Sequence, residues 1–265
     1  MIIVYILAAI LIFGVLIAVH EFGHFAAAKL CGVRVNEFSI GMGPLIWHKE
    51  TAETQYSLRL LPIGGFCAME GEDEESGDER SLGRQGFFKK AVIFAAGSFM
   101  NFLAGFLIIL AVYSGAAGFL IPAAAGTAPE FEQQNGQTLQ AGDIFYEING
   151  ERVYLYSDVS LLMSLHQGQP MDLVVLRDGE KVELNDITWG TYTGTEGETY
   201  QGYGIYIAGD QVEEATLWTL LKTSWLNTID FVRIVRLSLQ MLVTGQAGMD
   251  DLSGPGGIVS TITQV

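Results

Sequence analysis

From Ile2 to Val19 the chain carries no charged side chain, and the apolar character continues through Phe22, Phe25 and Ala26 to Ala28. At about 1.5 Å per residue this run is long enough to cross the roughly 30 Å hydrocarbon core of a bilayer. A first membrane helix is therefore predicted within residues 1–30. A second uncharged run, Ala91 to Leu120, follows Lys89 and Lys90 and predicts another span within residues 91–121. Between the two, within residues 31–90, the period shortens. Tyr56, Leu58 and Leu60 alternate with Ser57 and Arg59, while Gly41-Met42-Gly43-Pro44 and Pro62-Ile63-Gly64-Gly65 supply turn chemistry. Val35 to His48 and Thr54 to Glu70 thus read as the strands of a small β element.

After Pro122 the pattern becomes that of a compact soluble α/β module, residues 122–212. Ile144, Tyr146 and Ile148 alternate ahead of Asn149-Gly150, and Leu173 to Arg177 faces Lys181 to Leu184 across Asp178-Gly179, two hairpin signals. Ser157 is positioned to cap a short helix, Asp158 to Gln167, that Gly168 ends, and Gly202 to Ile207 supplies a late strand. In residues 213–265, Leu217, Leu221, Trp225, Ile229, Val232, Val235, Leu239 and Leu242 recur every three or four positions. Lys222, Asp230, Arg233 and Arg236 break any continuous apolar run, so this helix is amphipathic, lying on the membrane surface or against the module rather than spanning. A Gly254-Pro255-Gly256-Gly257 segment follows.

Charge orients these pieces. The first loop holds Lys29, Arg34, Lys49, Arg59, Arg80, Arg84, Lys89 and Lys90, whereas Arg152, Arg177 and Lys181 are the basic residues between the second span and residue 213. The positive-inside rule puts the β element in the cytoplasm and the α/β module outside. The net charge of −16 argues against nucleic acid as a partner, since no basic patch would neutralise its phosphates. The acidic block from Glu70 to Glu79 reads as a solvated loop, with a regulatory or cation-binding role as the alternative. Cys31 and Cys67 fall on the reducing side, so no disulfide is expected.

The candidate chemistry sits at the end of the first apolar run, in His20-Glu21-Phe22-Gly23-His24. On a helix His20 and His24 share a face and can hold one Zn²⁺, while Glu21 can address a nucleophilic water. Ionisable groups at that depth are costly, by a few kcal/mol on insertion scales, which argues for a function. Met1-Ile2-Ile3 lacks the basic start of a signal peptide. Asn101, inside the second span, either bonds helix to helix or helps to shape the site. The β element is either a connecting sheet or an edge that receives substrate as an added strand, with Gly64 and Gly65 in its turn.

Several stretches, in order, carry a resemblance: the His-Glu-Phe-Gly-His motif, Phe38-Ser39-Ile40-Gly41-Met42-Gly43-Pro44, Leu60-Leu61-Pro62-Ile63-Gly64-Gly65-Phe66, Gly97 to Asn101, and Leu252-Ser253-Gly254-Pro255. Ala141-Gly142-Asp143-Ile144 with Glu147-Ile148-Asn149-Gly150 is similar to a PDZ strand. Together they resemble the site-2 protease family of intramembrane zinc metalloproteases, in particular the regulator-of-sigma-E branch with a PDZ domain. The resemblance implies a multi-pass α-helical protein of the bacterial inner membrane, with a cytoplasmic β element and an extracytoplasmic PDZ-like domain. It also implies cleavage of single-span substrates, such as anti-sigma factors or remnant signal peptides, in regulated proteolysis, and a peptide ligand for the PDZ-like domain. Catalysis then falls to Glu21, the metal to His20 and His24, and substrate contact to Gly64, Gly65 and Asn101. Ser98 and Gly256 depart mildly from the family pattern, standing where relatives have proline and valine. The family's third ligand, an aspartate of a Leu-Asp-Gly motif, has no counterpart here, since Asp178-Gly179 reads as an exterior turn. The sequence accordingly looks like the N-terminal part of a longer enzyme, its C-terminal spans absent. A catalytically inactive, membrane-anchored PDZ adaptor is the alternative, and a metal transporter would need more spans and ligands.

Overall fold

A computed structural model of the chain describes residues 2–194 and 197–244; the Leu252-to-Gly257 motif lies outside the described residues. The described residues separate into two compact units, one built on residues 2–107 and 237–244, the other on Ile108–Arg236.

The first unit begins with α1 (Ile2–Cys31), which the uninterrupted apolar run makes helical throughout. It ends where Gly32 adopts φ +80°. The Gly32 amide donates to the Lys29 carbonyl and the Val33 amide to that of Ala28, the paired bonds of a Schellman cap. Next come β1 (Val35–Glu50) and β2 (Gln55–Met69), an antiparallel pair that folds back on itself. Residues 35–40 pair with 65–69 on one side and with 55–58 on the other, and 55–58 pair in turn with 47–50. The result is four ribbons side by side, with 65–69 and 47–50 at the outer edges. Helix α2 (Phe87–Tyr113) completes the unit. Ala27, Ala28, Val33, Val35, Cys67, Met69, Leu82 and Ile93 form the core under the end of α1.

Both α1 and α2 are long and apolar enough to cross a membrane. Their large side chains, among them Leu7, Leu11, Phe13, Val92, Phe99 and Ile108, are exposed, whereas the core helix of a soluble protein would bury them. The expected second span is too long at its far end: α2 stops at Tyr113, beyond which Ser114 and Gly115 break the helix and Phe119 and Leu120 enter a strand. The acidic loop is also less free than expected. Glu70 accepts from Asn36 and Ser76, and Asp78 pairs with Arg34.

In the second unit, β3 (Gly118–Leu120) and β4 (Ala124–Thr127) lead into a short α3 (Phe131–Asn135). Then follow β5 (Ile144–Ile148), β6 (Glu151–Arg152), α4 (Tyr156–Leu165), β7 (Met171–Arg177) and β8 (Glu180–Ile187). These strands form one sheet in the order β6-β5-β7-β8. The two hairpin turns occur as predicted, with Asn149 and Asp178 at φ 47° and 52° before their glycines. The burial phase on β5 differs from simple alternation: Phe145 and Ile148 are buried because Tyr146 is bulged out between the pairs Phe145–Val175 and Glu147–Val174. The cap of α4 differs too. Ser157 lies inside the first turn, and Asp158 accepts the backbone N–H groups of Tyr154 and Leu155.

The late strand is two strands. After β9 (Gly190–Thr193), β10 (Thr199–Gly202) pairs with β9, whereas β11 (Ile205–Ile207) returns to β4 and β12 (Val212–Glu214) to β3. Last comes α5 (Leu217–Thr244), whose buried residues are all polar: Thr219, Ser224, Thr228, Asp230 and Arg233. Its Leu217, Trp218, Trp225, Val232 and Val235 are exposed. Arg233 joins Asp158 and Asp230 in an almost fully buried cluster and also donates to the Arg152 carbonyl. Burial and the neighbouring charge of Asp158 hold the Asp230 carboxyl above the ordinary carboxylate range. The amphipathic helix is thus present, but its polar stripe faces the protein.

Candidate metal centre on the first apolar helix

One helical turn of α1 brings the His20 and His24 Nε2 atoms to 3.1 Å from each other, with ring planes at 79°. Two ligands at about 2.0–2.1 Å from a tetrahedral zinc stand roughly 3.3 Å apart, so the pair fits the ion with little adjustment. The opposite ring nitrogens are engaged by α2. His24 Nδ1 lies 2.8 Å from the Ile93 carbonyl, an acceptor that requires the proton on Nδ1 and leaves the Nε2 lone pair free. His20 Nδ1 lies 3.4 Å from the Asn101 amide nitrogen, while the buried Asn101 Oδ1 has no partner among the described residues. With that amide turned and the His20 proton on Nδ1, Oδ1 accepts the proton, and Nε2 is free for a metal.

Close approach of the two helices depends on missing side chains. A Cβ at Gly23 would stand 2.4 Å from the Ala96 carbonyl oxygen, and one at Gly97 would stand 2.5 Å from His24 Nε2 and 2.7 Å from His20 Nε2. Gly97 therefore floors the site. In the sequence Gly97 stands only as the start of the Gly97-to-Asn101 stretch that carries the resemblance; its spacing of four before Asn101, one helical turn, was the available signal.

Glu21 extends toward the β element. A Cβ on Gly65 would lie 3.5 Å from Glu21 Cγ and 2.8 Å from the Ser39 carbonyl oxygen, so glycine lets the 65–69 edge run beside the carboxylate. Gly64 has a different duty, φ +96°, which turns the chain there. Cys67 on the same ribbon is buried, and burial together with the Glu21 charge pushes its thiol up to about 12. Among the described residues no group of three or more His, Cys, Asp or Glu converges to hold a metal.

The class of protein these elements define is a membrane metalloprotease: chelating imidazoles and an adjacent carboxylate on a helix of bilayer length. The profile of peptidase family M50 matches residues 8–265, and the chain belongs to that family. A Clostridium perfringens protein named as a zinc metalloprotease is 35% identical over 258 residues, covering 96% of this chain and 74% of its own length. A Clostridium acetobutylicum protein similarly named is 34% identical, covering 96% of this chain and 73% of its own length. The regulator of sigma-W protease RasP of Bacillus subtilis is 25% identical over 347 residues, covering 98% of this chain and 80% of its own length. The chain is a metalloprotease and its cofactor is Zn²⁺.

Proposed function

We propose that this protein cleaves single-span membrane proteins within or at the edge of the bacterial inner membrane, using His20 and His24 as zinc ligands and Glu21 as general base. The observation that carries this reading is the placement of Glu21 between a preset histidine pair and a ribbon edge, residues 65–69, whose outer side pairs with no strand among the described residues. Zinc, when bound, supplies a Lewis acid that polarises the scissile carbonyl and eases deprotonation of water. Glu21 accepts the proton of the attacking water on a carboxylate oxygen and later delivers it to the leaving amine. Asn101 acts through His20, holding its tautomer rather than touching substrate. An unwound substrate adds as a strand beside Gly65 to Cys67, because a helical peptide bond is shielded by its own turn. The remaining ligand is a carboxylate from outside the described residues.

The second unit is proposed to be a PDZ-like peptide sensor outside the membrane, and the β element to be cytoplasmic. Substrates of regulated proteolysis, such as anti-sigma factors or remnant signal peptides, are proposed with it; a relative named as regulator of sigma-W protease supports the regulatory part of this reading. In the membrane-inserted enzyme, Glu21→Gln is expected to keep wild-type zinc content and lose cleavage of a single-span reporter, whereas His20→Ala loses both. Normal turnover by Glu21→Gln would sink the assignment.

A further inference from the structure

A cleft of about 410 Å³ in the second unit lies between β3, the central sheet and α5, walled by Phe119, Pro122, Leu176 and Leu226. The charged residues that line it are Arg152, Lys222 and Glu213, a net positive charge within an otherwise acidic protein, and Lys181 stands at its rim beside Tyr146. Arg152 lines it and stacks 3.1 Å from the centroid of the Tyr146 ring, and Lys181 lies 4.1 Å from the same centroid. The bulge on β5 is what swings Tyr146 out to serve as this platform. The nearby carboxylates are committed elsewhere: Glu213 to Lys222 at 3.2 Å, and Glu151 to Arg236 at 2.7 Å. Glu147, opposite Arg152 across β5–β6, makes no ion pair with it. Among the described residues neither Arg152 nor Lys181 has a carboxylate partner. Partial burial without an anion pushes the Arg152 pKa down.

The cleft also has a defined address. The Phe119 ring packs 5.5 Å from that of Tyr113, the last residue of α2, and the Tyr113 hydroxyl accepts from Asn227 on α5 at 2.8 Å. It therefore lies where an apolar helix of bilayer length ends, flanked on α5 by exposed Trp218 and Trp225, a residue type that favours the headgroup level.

We propose that this cleft binds the anionic headgroup of a phospholipid, its phosphate on Arg152 and Lys181 and its glycerol and first methylenes against Phe119, Pro122, Leu176 and Leu226. The volume suits a headgroup rather than a whole lipid. Charge complementarity selects an anionic over a zwitterionic lipid, and the apolar wall selects lipid over free phosphate. Occupancy would fasten the unit to the leaflet next to α2 and make its attachment sensitive to lipid charge.

The test uses the full chain in a neutral detergent, titrated with dioctanoyl phosphatidylglycerol, dioctanoyl phosphatidylcholine or inorganic phosphate and followed by calorimetry. Saturable binding of the glycerol lipid is expected, at least tenfold tighter than the choline lipid, with no saturation by phosphate at millimolar concentration. Arg152→Gln should weaken it tenfold or more, Lys181→Gln severalfold, and Arg84→Gln not at all. Lys181 is exposed, so its variant folds even if Arg152→Gln does not. Equal binding of the two lipids, equal binding by the Lys181→Gln variant, or saturation by phosphate alone would overturn the proposal. No proteolysis is measured, so the result is independent of the roles given to His20, Glu21 and His24.

Discussion

Gly97→Ala adds one methyl group to a helix that would otherwise welcome it, and this makes it a sharp probe of the metal centre. In a helix interior alanine is favoured over glycine by roughly 1 kcal/mol, so the helix itself should not weaken. The new Cβ, however, would stand 2.5 Å from His24 Nε2 and 2.7 Å from His20 Nε2 and Cε1. Against an ordinary contact of about 3.5 Å, each ring must retreat by roughly 0.8–1 Å. The helices cannot simply part, because Gly23 packs on the Ala96 carbonyl in the same interface. Turning each imidazole about 30° off its rotamer costs about 0.5–1.5 kcal/mol, and ligand positions good to about 0.2 Å are lost. Together these predict zinc binding weakened about 10–100-fold, equivalent to about 1.4–2.8 kcal/mol. Cleavage should fall by about a hundredfold or more, as for other misplacements near 1 Å. Zinc affinity is read by competition with a chromophoric chelator, and turnover with a single-span reporter in proteoliposomes. Gly105→Ala, on the same helix where a Cβ meets nothing within 4 Å, is the control. Wild-type zinc affinity and turnover in Gly97→Ala, or equal damage in Gly105→Ala, would refute the reasoning.

Asn101→Leu removes the partner of His20 Nδ1 and is expected to lower zinc affinity about 10–100-fold, with Asn101→Asp, which keeps an acceptor, retaining most of it; equal loss in both would remove the orienting role. Arg233→Met strands two buried carboxylates and should destabilise the second unit by about 3–5 kcal/mol at neutral pH in thermal unfolding. Asp230 already has a raised pKa, and a group raised in the fold favours the folded state most at low pH, so the deficit should shrink as pH falls from 7 toward 4; a pH-independent deficit would count against the charge argument. For topology, Cys67, buried with its thiol pushed up to about 12, should stay silent to maleimide, so replacing Cys31 suffices for a clean background. In intact cells a cysteine at Ser76 should then be protected from an impermeant reagent and one at Glu180 labelled; the reverse pattern would invert the proposed orientation.

The long apolar runs, the change of period between them, and the Asn149-Gly150 and Asp178-Gly179 turns were legible because each depends on local chemistry: hydrophobic length, alternation and positive-φ tolerance. The His20–His24 pair was legible for the same reason, since one helical turn alone sets its spacing. Four features depend instead on what lies opposite in space. The Ile93 carbonyl and Asn101 amide orient the imidazoles across an interface between helices almost 70 or more residues apart. Gly97 matters because of two rings on another helix, and the 65–69 edge beside Glu21 because a long hairpin folds back on itself. The bulge at Tyr146 shifts which residues of β5 are buried, and no periodicity in a five-residue strand announces it. Most sharply, Thr219, Ser224, Thr228, Asp230 and Arg233 of α5 face inward while Leu217, Trp218, Trp225, Val232 and Val235 face outward: periodicity marked the helix as amphipathic, but only the buried pairing of Arg233 with Asp158 determined which side the protein took.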